Sequence, residues 1–303
     1  MEAIISSKVV YTALFGPTES LVEQSVAASS DVRLICFSDN PALSSTTWEV
    51  VQVNPLFRAD PRRSQRDIKI RGHKLLEEFD EWLYIDNTVR LKQTPEQILD
   101  DWLVNADWAA LSHDTNSTLW SEFEANRQLD KETPERLDEQ LNDYIKFHRD
   151  VLDKHPLWNG FFARRNTAEV SECARLWFDH VLRYSARDQL SLLVALESHP
   201  IRVNRIDSRV RNSPWHDWPH REGETVESKK TRHAKTTGLK PLAEELIDAH
   251  SRIDELSAEI EKLDQQLTSL RDRQWWGLRG LLRRISEARV EARRKKRQAK
   301  KRR

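Results

Sequence analysis

Residues 82–91 have the sequence WLYIDNTVRL, in which an apolar run ends abruptly at Asp86. A short run of apolar and aromatic residues is typical of a strand that is covered on both faces, as in the sheets of α/β proteins. Ligands of open α/β sheets bind outside the carboxyl ends of the strands, where Asp86 would stand. From position alone, an equally good interpretation is that Asp86 starts a turn.

Strand and helix patterns alternate on both sides of this segment. Six further strands are predicted: VVYTALF (9–15), RLICFSD (33–39), WEVVQV (48–53), WAALSH (108–113), WNGFFARR (158–165) and IRVNRID (201–207). Helical patterns separate them at 21–28, 66–79, 95–103, 118–130, 134–152, 167–183 and 187–196. The alternation predicts an α/β domain over 1–220, built on a largely parallel sheet.

A basic segment, DPRRSQRDIKIRGHK (60–74), precedes the central strand. Arg66 and Lys69 are three residues apart and would share one face of a helix. Arginine presents a planar fork of donors that matches phosphate oxygens, so this face suits a diphosphate. A solvated basic helix that pairs with the acidic body is the alternative.

The chain after residue 220 has a different character. Residues 221–241 are charged and poor in apolar groups, which predicts a linker. Apolar residues then recur in alternating steps of four and three from Leu242 to Leu270, which predicts a coiled coil over 242–273. The mixture of Leu and Ile favours a parallel homodimer; an intramolecular hairpin and a higher oligomer are the alternatives.

The last segment, 274–303, is predicted to be a basic amphipathic tail. From Arg271 onward there are 15 Lys and Arg against 3 Asp and Glu, whereas the rest of the chain has 34 against 46. WWGLRGLLRRI (275–285) combines Trp with Arg, as in helices that lie on anionic membranes. A solvated tail and a nucleic-acid arm are alternatives; the acidic body disfavours nucleic acid as a partner.

The two cysteines and the N-terminus bear on the compartment. Cys36 and Cys173 are far apart and belong to no Cys/His cluster, which disfavours a disulfide framework or a zinc site. The N-terminal residues resemble no secretion signal, and no apolar run approaches the length of a membrane span. We therefore expect a cytoplasmic protein, peripheral at the inner face of the membrane.

Seven segments, in this order, together carry a resemblance to a known family: VVYTALFG, LICFSDNP, DPRRSQRDIKIRGHKLL, WLYIDNTVRL, EQLNDY, WNGFFARR and ARDQLSLLVAL. The chain resembles, over roughly 8–220, the glycosyltransferase-like family named for plant turgor-regulation-defect and mucilage-related proteins. Plant members include rhamnogalacturonan galacturonosyltransferases, and the layout is similar to the retaining GT-A enzymes of glycosyltransferase family eight. The resemblance implies a GT-A-like fold, with a mixed, mostly parallel sheet flanked by helices.

The resemblance also implies a donor site for a nucleoside diphosphate sugar, such as a UDP-sugar. Thr12 and Asp39 would lie against the nucleoside. Arg62, Arg66 and Lys69 would face the diphosphate. Around the sugar, the residues implied are Asp86, Asn87, Asn159 and Gly160.

A divalent metal ion, Mn²⁺ or Mg²⁺, is a further implication. Asp86 matches the first acid of the GT-A Asp-x-Asp motif, but Thr88 stands in place of the second acid. A late histidine often completes the metal site in similar enzymes. Here His216 and His220 are the candidates, and we favour His220.

The catalytic residues implied by the resemblance are Asp188 and Gln189, beneath the sugar. No carboxylate nucleophile is evident, so we expect the acceptor to attack from the face that the diphosphate leaves. The expected activity is retaining transfer of a sugar to a glycan or lipid-linked acceptor. Two alternatives remain: a related domain that only binds or hydrolyses the donor, and a non-enzymatic coiled-coil membrane adaptor with a degenerate head.

Overall fold

The computed structural model describes residues 7–16, 21–129, 132–218 and 242–301. It divides the chain into two compact units, Met1–Leu239 and Lys240–Arg303. The predicted linker at 221–241 lies outside the described residues, so its structure stays a prediction.

The described part of the first unit contains nine strands: β1 (Lys8–Leu14), β2 (Arg33–Ser38), β3 (Glu49–Gln52), β4 (Glu81–Ile85), β5 (Arg90–Leu91), β6 (Trp108–Ser112), β7 (Leu157–Arg165), β8 (Val203–Ile206) and β9 (His216–Asp217). Seven form one sheet in the order β3-β2-β1-β4-β7-β6-β8. The neighbours from β3 to β4 are parallel, β7 is antiparallel to β4 and to β6, and β8 is parallel to β6. The predicted mixed, mostly parallel sheet is confirmed.

The residues of this unit that the structure describes form seven α-helices: α1 (Pro61–Arg71), α2 (Pro95–Trp102), α3 (Leu119–Gln128), α4 (Pro134–Phe147), α5 (Arg149–Leu152), α6 (Ala168–Arg183) and α7 (Leu192–Glu197). They cover both faces of the sheet. The hydroxyl of Tyr11 donates to a carbonyl of α1, whereas Val10, the neighbouring residue of β1, belongs to the core that includes Trp102 of α2.

The order of the strands sets the position of the site. From β1 the chain proceeds outward to β2 and β3, and then returns to place β4 on the other side of β1. The direction of winding therefore reverses between β1 and β4, and ligands of open α/β sheets bind in the crevice at such a reversal. Asp86 follows β4 directly at this point.

Helix α1 differs from its predicted bounds of 66–79, because local signals at its ends decide both. The side chain of Asp60 accepts a hydrogen bond from the amide of Arg63, and Pro61 occupies the first turn, so the helix begins earlier. Gly72 has φ of 82°, in the region that ends helices, and the chain continues with a separate 3₁₀ turn, Lys74–Leu76.

Other helical predictions need smaller corrections. The helix predicted over 21–28 is a 3₁₀ turn, Ser25–Ser29, and the one over 187–196 divides into a 3₁₀ turn, Asp188–Leu190, and α7. The helix over 134–152 is interrupted at His148, between α4 and α5.

The second unit is one continuous helix, α8 (Leu242–Lys301), which includes both the predicted coiled-coil segment and the predicted tail. Four heptad residues whose side chains are described, Ile253, Leu256, Ile260 and Leu263, are exposed in the single chain; Ile260 is 66% exposed. The helix agrees with the heptad pattern, but pairing with another helix stays a prediction. Among the described helices, none combines the length and apolarity that crossing a bilayer requires.

Candidate functional site

Asp86 is the centre of the candidate site and is held from two directions. Its backbone amide donates to the carbonyl of Gly160 in the adjacent strand β7, at 2.8 Å. Its Oδ1 atom accepts a hydrogen bond from the hydroxyl of Tyr84, also at 2.8 Å. The side chain remains 28% exposed, so it is both fixed and accessible from the crevice.

Helix α1 brings two cations to this carboxylate. Arg63 anchors the helix, since its guanidinium donates to the carbonyls of Val181 and Tyr184 at the end of α6. One turn of α1 then directs Arg66 and Lys69 to the same place, as their spacing predicted. The Nζ atom of Lys69 lies 3.6 Å from Oδ1 of Asp86.

Asp188 joins the same cluster from the far end of the domain. Its Oδ1 lies 2.8 Å from Nε of Arg66, and its Oδ2 lies 2.8 Å from Nζ of Lys69. The indole of Trp177 donates to its backbone carbonyl at 2.7 Å, which fixes the 3₁₀ turn against α6. Burial by itself raises the pKa of Asp188, but Arg66 and Lys69 outweigh burial and hold the pKa well below its usual range. Asp188 therefore remains ionised at neutral pH.

Tyr84 is a site residue that the sequence analysis missed. Its hydroxyl accepts from Nε2 of Gln65 at 2.7 Å and donates to Asp86, and Lys69 lies 5.0 Å from its ring centroid. Burial, followed by the charge of Asp86, raises the pKa of Tyr84 well above its ordinary value, so the hydroxyl keeps its proton. Only its place one residue before the last of an apolar strand could have signalled this role, and that place equally suits a core residue.

Arg187 is the second residue that was missed. Among the described residues, its Nε atom is buried without a hydrogen-bond partner. Burial lowers the pKa of Arg187, and the neighbouring charge of Arg66 lowers it further, while Asp188 and Glu122 act in the opposite direction. Its signal in the sequence was its position directly before Asp188.

Three more predicted residues border this cluster. Nδ2 of Asn159 lies 3.5 Å from Oδ2 of Asp188. Gly160 allows a close approach, because a Cβ atom there would lie 2.3 Å from the ring of Trp158 and 3.0 Å from Oδ2 of Asp86. Gln189 is almost fully buried, and its Nε2 has no hydrogen-bond partner within the described ranges.

The remaining predicted donor residues are less closely gathered. Thr12 is completely buried in β1, and its hydroxyl has no hydrogen-bond partner among the described residues. Asp39 follows β2 and accepts a hydrogen bond from the amide of Gly16 at 3.1 Å. Arg62 is exposed on the first turn of α1, and Asn87 is buried beside Asp86.

The described part of the chain does not provide the expected metal site. No three His, Cys, Asp or Glu side chains within it are grouped to hold an ion. Oδ1 of Asp86 accepts a hydrogen bond from the hydroxyl of Tyr84, and both carboxylate oxygens of Asp188 contact cations. His220, the favoured second ligand, lies outside the described residues.

His216, the other histidine candidate, is a packed residue. Its Nε2 lies 2.7 Å from the carbonyl of Val210, and its Nδ1 lies 2.6 Å from the hydroxyl of Ser213. A carbonyl only accepts, so Nε2 carries the proton and Nδ1 accepts from Ser213. Burial lowers the pKa of His216 to about 4, and neither nitrogen is left for a metal ion.

A separate cavity of about 270 Å³ opens near the amino end of β4, at the opposite edge of the sheet. Several arginines line it, but they have partners within the protein. Arg71 pairs with Asp67, and Arg175 pairs with Glu172. The carboxyl edge is the stronger candidate for a ligand site, because two carboxylates meet two cations there, Asp86 is partly exposed, and ligands of open α/β sheets bind at that edge.

Comparison with known proteins begins with structure. The chain is similar to core-mannan synthase A from Aspergillus fumigatus, solved in its Mn/GDP form, with a TM-score of 0.41 and 9% sequence identity. The match covers 80% of this chain and 83% of that chain. A likeness at this level transfers neither a ligand nor a reaction.

Comparison of sequences is more informative. The chain is 28% identical, over 166 residues, to a protein of Arabidopsis thaliana named "Probable hexosyltransferase MUCI70". The match covers 52% of this chain but only 29% of the plant protein. A family model described as "TOD1/MUCI70, glycosyltransferase-like domain" matches residues 23–208, which is more than half of the chain and includes the whole charged cluster. The chain therefore belongs to the TOD1/MUCI70 glycosyltransferase-like domain family.

Proposed function

We propose that this chain is a glycosyltransferase that transfers a sugar from a nucleoside diphosphate sugar, such as a UDP-sugar, to a glycan or lipid-linked acceptor. Membership of the family supports the general activity. The observation that carries the proposal is the convergence of Arg66, Lys69, Asp86 and Asp188 at the carboxyl end of β4.

This convergence suits a donor with a diphosphate. Two cations on one face of α1 can bind phosphate oxygens, and the exposed carboxylate of Asp86 can accept hydrogen bonds from sugar hydroxyls. The crevice between β1 and β4 is where GT-A-like sheets would hold the nucleotide. A non-enzymatic adaptor has no need to bury such charges, because each buried charge must be paired at a cost in solvation.

We propose a retaining reaction without a covalent enzyme intermediate. The acceptor oxygen would form a bond to the anomeric carbon on the face from which the diphosphate departs. The carbon–phosphate oxygen bond would break with its electron pair going to the diphosphate, and the acceptor proton would pass to a phosphate oxygen. Asp188 supports this route over nucleophilic catalysis, since both its oxygens are bound to cations.

The second unit supports two further proposals. Apolar heptad residues of α8 are exposed in the single chain: Ile253, Leu256, Ile260 and Leu263. A second copy would cover them in a parallel homodimer. The tail, with exposed Leu281, Leu282 and Ile285 among many basic residues, would bind the anionic inner face of a membrane.

The test is a panel of donors, UDP-glucose, UDP-galactose, UDP-galacturonate and GDP-mannose, incubated with the purified full chain with and without Mn²⁺. Release of the nucleoside diphosphate and donor binding by calorimetry would both be measured. We expect one donor to bind and turn over, and Asp86→Ala to abolish turnover. Asp101→Ala, which removes an exposed acid of α2, is the matched control.

Each outcome separates the candidate functions. Turnover that requires an added sugar acceptor supports a transferase, and equal turnover in water alone would support a hydrolase. Binding without turnover, or no loss with Asp86→Ala, would contradict the proposal and favour a degenerate head on an adaptor.

A further inference from the structure

We propose that the ammonium group of Lys69 is the resident cation of the donor site, and that Lys69, Arg66 and Arg187 together neutralise the leaving diphosphate without a divalent metal ion. This proposal rests on the proposed function and specifies which groups neutralise the negative charge of the leaving diphosphate. It departs from the metal dependence that the resemblance implies.

Lys69 occupies the position that a bridging metal ion would take. Its Nζ atom lies between the two carboxylates of the site, 2.8 Å from Asp188 and 3.6 Å from Asp86, and its side chain is 3% exposed. A metal ion bridging these carboxylates would occupy the same space and meet the same donors. Two cations cannot share that position, because like charges repel strongly where water is excluded.

The described side chains of the cluster leave few oxygen ligands for a metal ion. Hard divalent ions take oxygen ligands and gain most from carboxylates. Both carboxylate oxygens of Asp188 contact cations, and Oδ1 of Asp86 accepts a hydrogen bond from Tyr84. Thr88 stands where the Asp-x-Asp motif has its second acid. Among the described side chains of the cluster, only Oδ2 of Asp86 remains as a carboxylate ligand.

The charged side chains of the cluster also bear on the need for a metal ion. Arg66, Lys69 and Arg187 carry three positive charges, and Asp86 and Asp188 carry two negative charges; Glu122 and Arg62, whose charges also act on Arg187, offset each other. The described cluster therefore has an excess of positive charge before any ion is added. An excess of positive charge in a partly dry crevice is what a departing diphosphate requires, and a metal ion commonly supplies it elsewhere.

Arg187 has a buried donor that a phosphate oxygen could satisfy. A buried donor without a partner is rare and requires an explanation, and Nε of Arg187 is such a donor among the described residues. The guanidinium lies close enough to Arg66 and Asp188 for their charges to alter its pKa. A phosphate oxygen would satisfy this donor, and the planar fork of arginine suits it.

The role of Asp188 in this proposal differs from the catalytic role that the family resemblance implies. Asp188 contacts Arg66 and Lys69 directly and holds both in place, so it is a positioning residue. Asp188→Asn should raise the KM for the donor more than it lowers kcat, because the binding site for the diphosphate would be disordered while the reacting atoms are unchanged.

The experiment uses the purified full chain, freed of metal with EDTA, and the probe UDP. Calorimetry measures the affinity for UDP in EDTA and in Mn²⁺ or Mg²⁺, and the donor panel is assayed in the same buffers. We expect UDP affinity and donor turnover to agree within about threefold across these buffers. Binding or turnover that EDTA abolishes and Mn²⁺ restores would overturn the inference.

Variants test the individual cations. Lys69→Met and Arg187→Met should each weaken UDP binding in EDTA by about tenfold or more, which is the usual contribution of a charge-assisted hydrogen bond. Lys69→Arg and Arg187→Lys should each recover part of the affinity. Lys154→Met, at a half-exposed lysine paired with Glu197, is the matched control and should bind UDP as the parent does.

Arg187→Met distinguishes a loss of UDP binding from a loss of folding. The Nε atom that it removes has no described hydrogen bond, so the variant should keep the Tm of the parent. Unchanged UDP affinity in this variant would overturn the part assigned to Arg187. Donor turnover only with metal would defeat this inference and leave the proposed function intact, whereas no donor or UDP binding in any buffer would defeat both.

Discussion

The ammonium nitrogen of Lys69 lies 2.8 Å from Oδ2 of Asp188, and both side chains are almost fully buried. The two residues come from helix α1 and from the 3₁₀ turn that precedes α7, so this contact joins distant parts of the chain at the end of β4. A buried ion pair is costly to break, since removal of one partner leaves the other charge without compensation. The donor site and the stability of the domain are therefore linked.

Gly160→Ala should disrupt the site while leaving the fold largely intact. The added Cβ would lie 2.3 Å from the ring of Trp158 and 3.0 Å from Oδ2 of Asp86, so one or both must move. A displacement of about 1 Å at a reacting centre can cost about 100-fold in rate. Donor turnover should therefore fall by about 100-fold. The free energy of unfolding should fall by about 1–3 kcal/mol, as at other overpacked sites.

Gly280→Ala is the control for that substitution. A Cβ there meets nothing within 4 Å, and alanine is favoured over glycine in a helix by up to about 1 kcal/mol. Turnover should be unchanged and α8 slightly more stable. Equal turnover in the two variants would contradict the close approach of Gly160 to Asp86.

Tyr84→Phe should lower donor turnover by about tenfold, because one hydrogen bond to Asp86 is lost. The loss should be equal from pH 6 to 9, since the raised pKa of Tyr84 keeps its hydroxyl protonated over that range. Steady-state kinetics across this range would check both points. Tyr184→Phe, which removes a hydroxyl bonded to Asp143 away from the site, is the control.

Acidification should destabilise the first unit through two histidines. Burial lowers the pKa of His180 and of His216 to about 4, from an ordinary value of 6.5. The unfolded chain therefore binds more protons between these values, so stability is full above pH 6.5 and declines as the pH falls towards 4. Each histidine can contribute at most about 1.4 kcal/mol per pH unit.

Urea unfolding at pH 7.5, 6.5, 5.5 and 5.0 would measure this decline. His180→Phe should make the slope shallower. A free energy of unfolding that stays constant from pH 7.5 to 5.0 would contradict the buried, neutral state of both rings.

Ile260→Asp should convert the proposed dimer to a monomer. Ile260 is at an a position of the heptad pattern, and an unpaired carboxylate in a coiled-coil seam loses its solvation. Light scattering after gel filtration would measure the mass. Glu261→Asp, at the neighbouring position outside the seam, should remain dimeric, and a monomeric parent chain would refute the pairing.

Flotation with liposomes would test the tail. The full chain should float with vesicles that contain phosphatidylserine, and a chain ending at Leu270 should not, because each basic residue near an anionic surface contributes about 1 kcal/mol. Binding should weaken as salt is raised. Equal flotation of the two chains would remove the proposed membrane contact.

Features that depend on near neighbours could be predicted from local patterns along the chain. The apolar run before Asp86, the three-residue spacing of Arg66 and Lys69, and the heptads of α8 are local patterns, and strands and helices repeat over two to four residues. These patterns sufficed to predict a largely parallel sheet, the end of its central strand and the basic face that reaches it, whereas the mixed character of the sheet was implied by the family resemblance.

Which distant groups meet depends on how the whole domain folds. Asp188 pairs with Lys69, Tyr84 supports Asp86, and His216 is enclosed by its own loop. Each of these depends on how the strands are ordered and which side chains burial then forces to find partners, because an unpaired polar group inside a protein is costly. No periodic pattern along the chain records that choice, so Arg66 and Lys69 could be predicted from the sequence, while Arg187, Tyr84 and the pairing with Asp188 could not.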